Sequence, residues 1–420
     1  MMSNKYIAID VGSSKISALA AEVQPDNTLK ILADEMKASD DVKNGIVEQV
    51  SGAAYKISEL YKLIKNSAKS QDVDHVSVSI GAKSMKSLNM SVSRFVGASK
   101  TVSENLIFEM TEECTKKVQR ENVAVYDVIP VYYELDGHRT DEPVNKKAVQ
   151  IIGNYTVIYG SKIISESLER CFERTGIITE CTPVAIESIS AAVLDEEERE
   201  NGCALINFGA STTTLAIYKN EVLKQMLVVP LGGKNITHDI QELGISEMHA
   251  ERLKCLKGCA LEKMVEEPIY VQIPAIGAEM PPVRISTQFL ATIIEARLEE
   301  ILEPVFKAIQ NFPEPLEGGI IITGGASKLN HLTEFIFEKS DMNARIGNHS
   351  DWLTEKSPSK YHDTIYSQLV GTIILNHEYR QSHPVEETKK NKPVKLPGKN
   401  IKDRITTGLI NFFGDENSMN

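Results

Sequence analysis

Asp10, Gly12, Ser13, Ser14 and Lys15 fall together at the end of the first apolar run, in "YIAIDVGSSKISALA" (residues 6–20). These are residue types that handle phosphate. Backbone N–H groups clustered in a turn cradle phosphate oxygens. Small hydroxyls add donors without blocking close approach, and Lys15 can reach a phosphate as a point charge. Asp10 is placed to hold Mg²⁺ through water, since that ion keeps much of its hydration. The same signal returns 197 positions later in "ALINFGASTTTLAIY" (204–218), where Ile206, Gly209 and Ser211 repeat Ile9, Gly12 and Ser14. Gly209, Ser211, Thr212 and Thr213 would supply a matching second wall, but Asn207, a neutral amide, stands where Asp10 stood. A third turn, "ITGGAS" (322–327), places Gly324, Gly325 and Ala326 after a buried apolar run. It is expected to open a helix and to let a flat base or ribose approach closely.

One Gly-Ser turn after a strand is ordinarily just a hairpin. Two in register at half-chain spacing point to related half-domains facing each other across a cleft. The elements that would position them follow from pattern. Alternating residues on either side of "DVGSSK" predict a hairpin. Helical periodicity covers 50–69, and "HVSVSIG" (75–81) reads as a strand. In 84–163 a helix precedes two strand-like runs, which suggests a small α+β insertion. Helices are expected at 161–175 and 181–194, and a long one at about 286–310. From residue 381 the chain turns to prolines and lysines with almost no apolar residue, the composition of a linker.

Bulk composition narrows the function classes. The 420 residues suffice for two to four domains, and 42% hydrophobic with 25% charged residues is ordinary for a globular protein. A net charge of −12 argues against nucleic-acid binding, which leaves a basic footprint. The start, "MMSNKYIAIDVG", runs straight into a strand without a signal-peptide pattern, and no apolar run approaches 18 residues. The six cysteines form no CxxC pair; Cys255 and Cys259 are four apart on an expected helix, without a second ligand pair. Buried thiols in a reducing compartment are the expectation.

The set "IAIDVGSSKISAL", "INFGASTTTLAIY" and "IIITGGASKL" resembles the phosphate-1, phosphate-2 and adenosine motifs of the actin/Hsp70/sugar-kinase superfamily. "AVLDEEERENGCALINFGAS", "AERLKCLKGCAL", "NARIG" and "TIYSQLVGTIIL" resemble segments of the FtsA family of actin-like bacterial cell-division proteins, over nearly all of 5–376. The resemblance implies an α/β, actin-like ATPase fold of two duplicated halves around a nucleotide cleft, with ATP and Mg²⁺ as ligands. It implies a first subdomain from 1–83 and 163–195, and an FtsA-type α+β insertion at 84–162. A second large subdomain would comprise 196–226 and 306–380, with 227–305 as its small partner. A linker at 381–397 and a membrane-targeting amphipathic helix at 398–415 would complete the chain. Gly232 and Gly233 would join the nucleotide site. Glu251 and Lys254, three apart on one helix face, match positions that approach ribose and adenine; taken alone they read as a solvated ion pair.

The family pattern at the second turn is Asp-Ile-Gly-Gly-Gly-Thr, and here it is "NFGAST". Asn207 can hydrogen-bond a metal-bound water but supplies no charge, and Ala210 and Ser211 give the backbone less freedom than glycines would. Binding can survive through Asp10 and the first turn. Turnover is expected to be slow or absent, because nothing obvious positions an attacking water. Glu187 is the nearest candidate acid; the alternative is a helix-surface carboxylate.

In the tail, Ile401, Ile405, Leu409, Phe412 and Phe413 fall within about 120° on a helical wheel. Lys399, Lys402 and Arg404 lie at the near end, and 389–404 holds seven Lys/Arg against one Asp, a local net of +6. A basic approach to a short apolar helix suits an anionic inner leaflet; the competing reading docks the helix on the protein body. The resemblance implies a peripheral protein at the cytoplasmic face of the division septum. It would polymerise and tether the tubulin-like FtsZ ring, with the FtsZ C-terminal tail on 227–305 and other division proteins on 84–162. Arg252, Lys254, Arg284 and Arg297 are the basic positions to inspect there. The rival readings are an adaptor related to PilM and a small-molecule kinase of the same superfamily.

Overall fold

The computed structural model describes residues 4–70, 73–97, 100–277 and 281–382. The expected membrane-targeting helix and all but the first two residues of the expected linker lie outside the described residues. The chain opens with an antiparallel meander, β1 (Lys5–Val11), β2 (Lys15–Val23) and β3 (Leu29–Ala38). A short ribbon, β4 (Val42–Lys43) and β5 (Ile46–Val47), leads to α1 (Val50–Ser67). This helix buries Ala53, Ala54, Ile57, Leu60 and Ile64, the spacing of one helix face. β6 (His75–Val78) then runs parallel to β1.

The chain next leaves this sheet to build another. β7 (Lys86–Phe95), α2 (Glu104–Val118), β8 (Val123–Leu135), β9 (His138–Thr140) and β10 (Gln150–Ser161) make a four-stranded sheet in the order β7-β10-β8-β9. It has its own core, with Val92, Ile107, Met110, Val125, Ile151 and Tyr155 buried together. α3 (Ile163–Thr175) returns to the first sheet, where β11 (Ile178–Cys181) becomes the edge strand beside β6. α4 (Ala185–Val193) and α5 (Glu196–Asn201) lead to the repeat.

The second half repeats the first meander as β12 (Cys203–Phe208), β13 (Thr213–Lys219) and β14 (Val222–Val229). Its additional material follows β14: α6 (Gly233–Gln241), α7 (Glu247–Lys257), the ribbon β15 (Tyr270–Ile273) and β16 (Val283–Ser286), and the long α8 (Thr287–Gln310). β17 (Ile320–Thr323), α9 (Leu332–Ser340), β18 (Ala344–Ile346) and α10 (Ser367–Ser382) complete it. The two large sheets have the same order, β3-β2-β1-β6-β11 and β14-β13-β12-β17-β18. The register repeats as well: Asp10 lies opposite Ser17 and Asn207 opposite Thr214. β1 and β12 are buried on both faces over most of their length, which is why they read as near-continuous apolar runs.

α4 and α10 pack against one another. Their contact is so close that a Cβ at Gly371 would lie 1.6 Å from the Ser188 carbonyl oxygen. Three local expectations are corrected. Gly258 leaves helical geometry at ψ 140°, so α7 ends at Lys257 and Cys259 is not on it with Cys255. The third glycine turn opens a 3₁₀ turn at Gly325–Lys328, and α9 begins only at Leu332. α10 continues to Ser382, past the expected start of the linker at 381. None of the six cysteines is joined in a disulfide.

Candidate functional site

The two hairpin turns close in the same way. Gly12 N–H donates to the Lys15 carbonyl at 3.1 Å, and Gly209 N–H donates to the Thr212 carbonyl at 3.0 Å. Both turns line one cleft of about 750 Å³, within the range of small-molecule sites. Asp10 stands at the end of β1, where Gln368 of α10 donates to its Oδ1 at 2.8 Å and to Ser79 Oγ at 2.8 Å. Burial pushes the Asp10 carboxyl up to about 6, against the opposing effects of the Lys15 charge and the Gln368 hydrogen bond. Burial lowers Lys15 in turn, with Asp10 working the other way, and its Nζ lies 3.5 Å from Met36 Sδ. Ser13 Oγ accepts from Gly45 N–H at 3.3 Å, which fixes the turn against the β4–β5 ribbon.

The second turn is held from behind by α6. Gly233 N–H donates to the Gly209 carbonyl at 2.9 Å and Lys234 N–H to that of Ala210 at 2.7 Å. A Cβ at Gly232 would lie 2.6 Å from the Gly209 oxygen, so the close approach needs glycine. α7 adds the neighbouring wall. Lys254 Nζ donates to the Gly233 carbonyl (3.0 Å), Thr237 Oγ1 (2.8 Å) and Glu251 Oε2 (2.7 Å). The Thr237 hydroxyl also donates to Glu251. Burial works against ionisation of Glu251, but the hydrogen bonds from Lys254 and Thr237 win and hold it below its ordinary value. Gly324 closes the third side at φ +95°, where a Cβ would lie 2.5 Å from Asn207 Oδ1. Only glycine takes that conformation at no cost. Ser327 and Thr364 hydroxyls bond its carbonyl at 2.7 and 3.0 Å.

The structure therefore brings nearly all of the expected nucleotide residues into one cleft: Asp10 to Lys15, Asn207, Gly209, Ser211, Thr212, Gly233, Glu251, Lys254, Gly324, Gly325 and Ala326. Two do not line it. Thr213 is buried in β13 with its hydroxyl on the Leu231 carbonyl at 2.9 Å, and Gly232 supports the turn from outside. Glu187 does not line the cleft either; α4 turns Ile186 and Ile189 toward it, while the Glu187 charge acts on Tyr218. The lining residues that the sequence did not point to include Gln368, Ser79 and Lys234. Gln368 and Ser79 meet there only through long-range packing, whereas Lys234 directly follows Gly232 and Gly233.

The donor set suits a hydrated hard cation. Among the described residues no group of three or more His, Cys, Asp or Glu could cage a metal. Asp10 is a half-buried carboxylate beside phosphate-sized turns, which fits Mg²⁺ with its waters and shared phosphate ligands. Of the basic positions named for partner docking, Arg252 and Arg284 are exposed, and Arg284 stacks 3.9 Å from the Tyr270 ring centroid. Arg297 is engaged by Asp239 at 2.7 Å and by Glu300, and Lys254 faces the cleft. Among the described residues no helix is long and apolar enough to cross a membrane.

Known proteins resemble this chain in sequence and in fold. The family profile "Cell division protein FtsA" matches residues 204–371. The cell division protein FtsA of Borreliella burgdorferi is 29% identical over 426 residues, covering 98% of this chain and 99% of that protein. FtsA of Escherichia coli K12 is 26% identical over 391 residues, covering 90% of each. Among solved structures, the PilM–PilN type IV pilus biogenesis complex superposes with TM-score 0.62 at 14% identity, covering 88% of this chain and 98% of that one. MreB5 of Spiroplasma citri bound to ADP gives TM-score 0.56 at 13% identity, covering 90% and 98%. At such identities these structures speak for the fold alone, which is that of the actin-like ATPases. With near full-length likeness to FtsA proteins on an actin-like frame, the chain resembles the FtsA family of actin-like cell-division proteins.

Proposed function

We propose that the chain binds Mg·ATP in the cleft between its two halves, polymerises, and tethers the FtsZ ring to the cytoplasmic face of the cell membrane. The observation that carries the nucleotide part is the pair of equivalent glycine turns lining one cleft, with Asp10 retained there despite the cost of burial. In this reading residues 1–83 with 163–195 and residues 196–226 with 306–380 form the two large subdomains. Residues 227–305 form the small partner that receives the FtsZ C-terminal tail, and 84–162 form the insertion that meets other division proteins.

The tail supplies the anchor. Each apolar side chain buried at the acyl boundary contributes about 1.5–3 kcal/mol at most, so one copy binds reversibly. An array of copies on a filament binds far more firmly through effective concentration. That argument ties anchoring to polymerisation. Electron microscopy of the purified protein on anionic lipid with ATP, with and without residues 397–420, tests both. Filaments on lipid only when the tail is present are the expected result. Lipid-bound filaments without the tail would refute the anchor, and bare lipid in both cases would refute the polymer.

A further inference from the structure

Lys234 stands at the second position of α6, the helix braced against the second turn. The first two N–H groups of α6 are spent on the Gly209 and Ala210 carbonyls, so the helix contributes its side chain to the cleft rather than its first amides. That side chain crosses to the other half: Nζ donates to the Ser13 carbonyl of the first turn at 3.0 Å, with Asp40 at 3.7 Å. Asp40 is fully exposed and the Lys234 side chain is 38% exposed, so this ion pair is solvated and easily exchanged. The other cations along the cleft are committed elsewhere. Lys254 makes three hydrogen bonds within its own wall, and Lys328 pairs with Asp363 at 2.5 Å. Lys15 lies beside Asp10.

The charge around the two turns is thus unusual for a site that would rely on metal to neutralise a polyphosphate. One of the two strand-end carboxylates is replaced by the neutral Asn207, and a lysine from α6 reaches the opposite turn. We propose that Lys234 is a polyphosphate-binding residue that exchanges its Ser13 and Asp40 contacts for nucleotide oxygens, so that nucleotide binding by this chain persists without divalent cation. The proposal rests on the nucleotide reading above. Its physics is the replacement of a weak, solvated pair by a charge-assisted bond to a multiply charged anion, held between two turns that supply further donors.

The test measures binding of a fluorescent N-methylanthraniloyl ATP to the full chain, in excess Mg²⁺ and in EDTA, for the parent, Lys234→Met and Lys234→Arg. Thermal melts establish that the variants are folded. The parent is expected to lose no more than about tenfold in affinity in EDTA. Lys234→Met is expected to lose about ten- to a hundredfold in EDTA, the range of one charge-assisted hydrogen bond, and clearly less in Mg²⁺, where the ion shares the phosphate charge. Lys234→Arg should retain most of the affinity. An equal loss in both buffers marks Lys234 as a strut between the halves and overturns the proposal. So does no loss in either buffer, or a parent that binds only with Mg²⁺, while the nucleotide reading stands in all three cases. A parent that binds in neither buffer overturns both.

Discussion

Replacing Asp10 by Asn should make the nucleotide-free protein more stable, by an amount that grows with pH. Burial raises the Asp10 carboxyl from 3.8 to about 6, and that value already includes the favourable Lys15 charge and the Gln368 hydrogen bond. A carboxyl raised on folding binds its proton more tightly in the native state. Its contribution to stability is therefore fully present below the unfolded value of 3.8 and is lost as pH rises through about 6. A shift of roughly two units corresponds to about 3 kcal/mol at full ionisation. Asn mimics the neutral acid, and its amide oxygen can still accept from Gln368. The variant should gain about 1 kcal/mol at pH 4.5 and about 3 kcal/mol at pH 8, from the linkage relation. Denaturant titrations of parent and variant in EDTA at those two pH values measure the difference. The reasoning is refuted if the variant is no more stable than the parent at pH 8, or if its gain is the same at both. A gain in stability coupled to a loss of Mg-dependent nucleotide binding would mark Asp10 as a residue kept for function at a cost to the fold.

Gly371→Ala should destabilise the protein by at least the 1–3 kcal/mol typical of overpacking, since the new methyl would lie 1.6 Å from the Ser188 carbonyl. A denaturation midpoint unchanged from the parent would show that α4 and α10 separate freely. Changing Phe412 and Phe413 to Asp should release the protein from anionic liposomes in co-sedimentation while leaving its thermal melt unchanged. Unaltered co-sedimentation would remove the apolar tail face as the anchor.

Much of the cleft could be found from sequence because its turns are local structures. A period-2 run, a glycine and small hydroxyls specify a hairpin within a dozen residues, and the same logic worked twice at a spacing of 197. The long helix near 286–310 was equally legible, since Leu290, Ile294, Leu298, Ile301, Leu302, Val305 and Ile309 mark one buried face. Individual orientations were less accessible. Thr213 and Thr212 are neighbours of the same type, and the strand alternation that starts at Thr213 sends one to the core and leaves the other in the cleft. The phase of α4 turned Glu187 away from the site while Ile186 and Ile189 face it.

The sequence by itself determined the duplication, the three glycine turns, the loss of one acid at Asn207, and the change of charge sign near the tail. Each is a property of residues close together along the chain. Only the tertiary structure decided which side chains complete the site. Gln368 meets Asp10 across 358 residues and Lys234 meets Ser13 across 221, contacts that exist because α10 crosses α4 at Gly371 and α6 is braced on the second turn. The burial that raises Asp10 belongs to the same level, since a carboxylate's environment is made by every element folded around it.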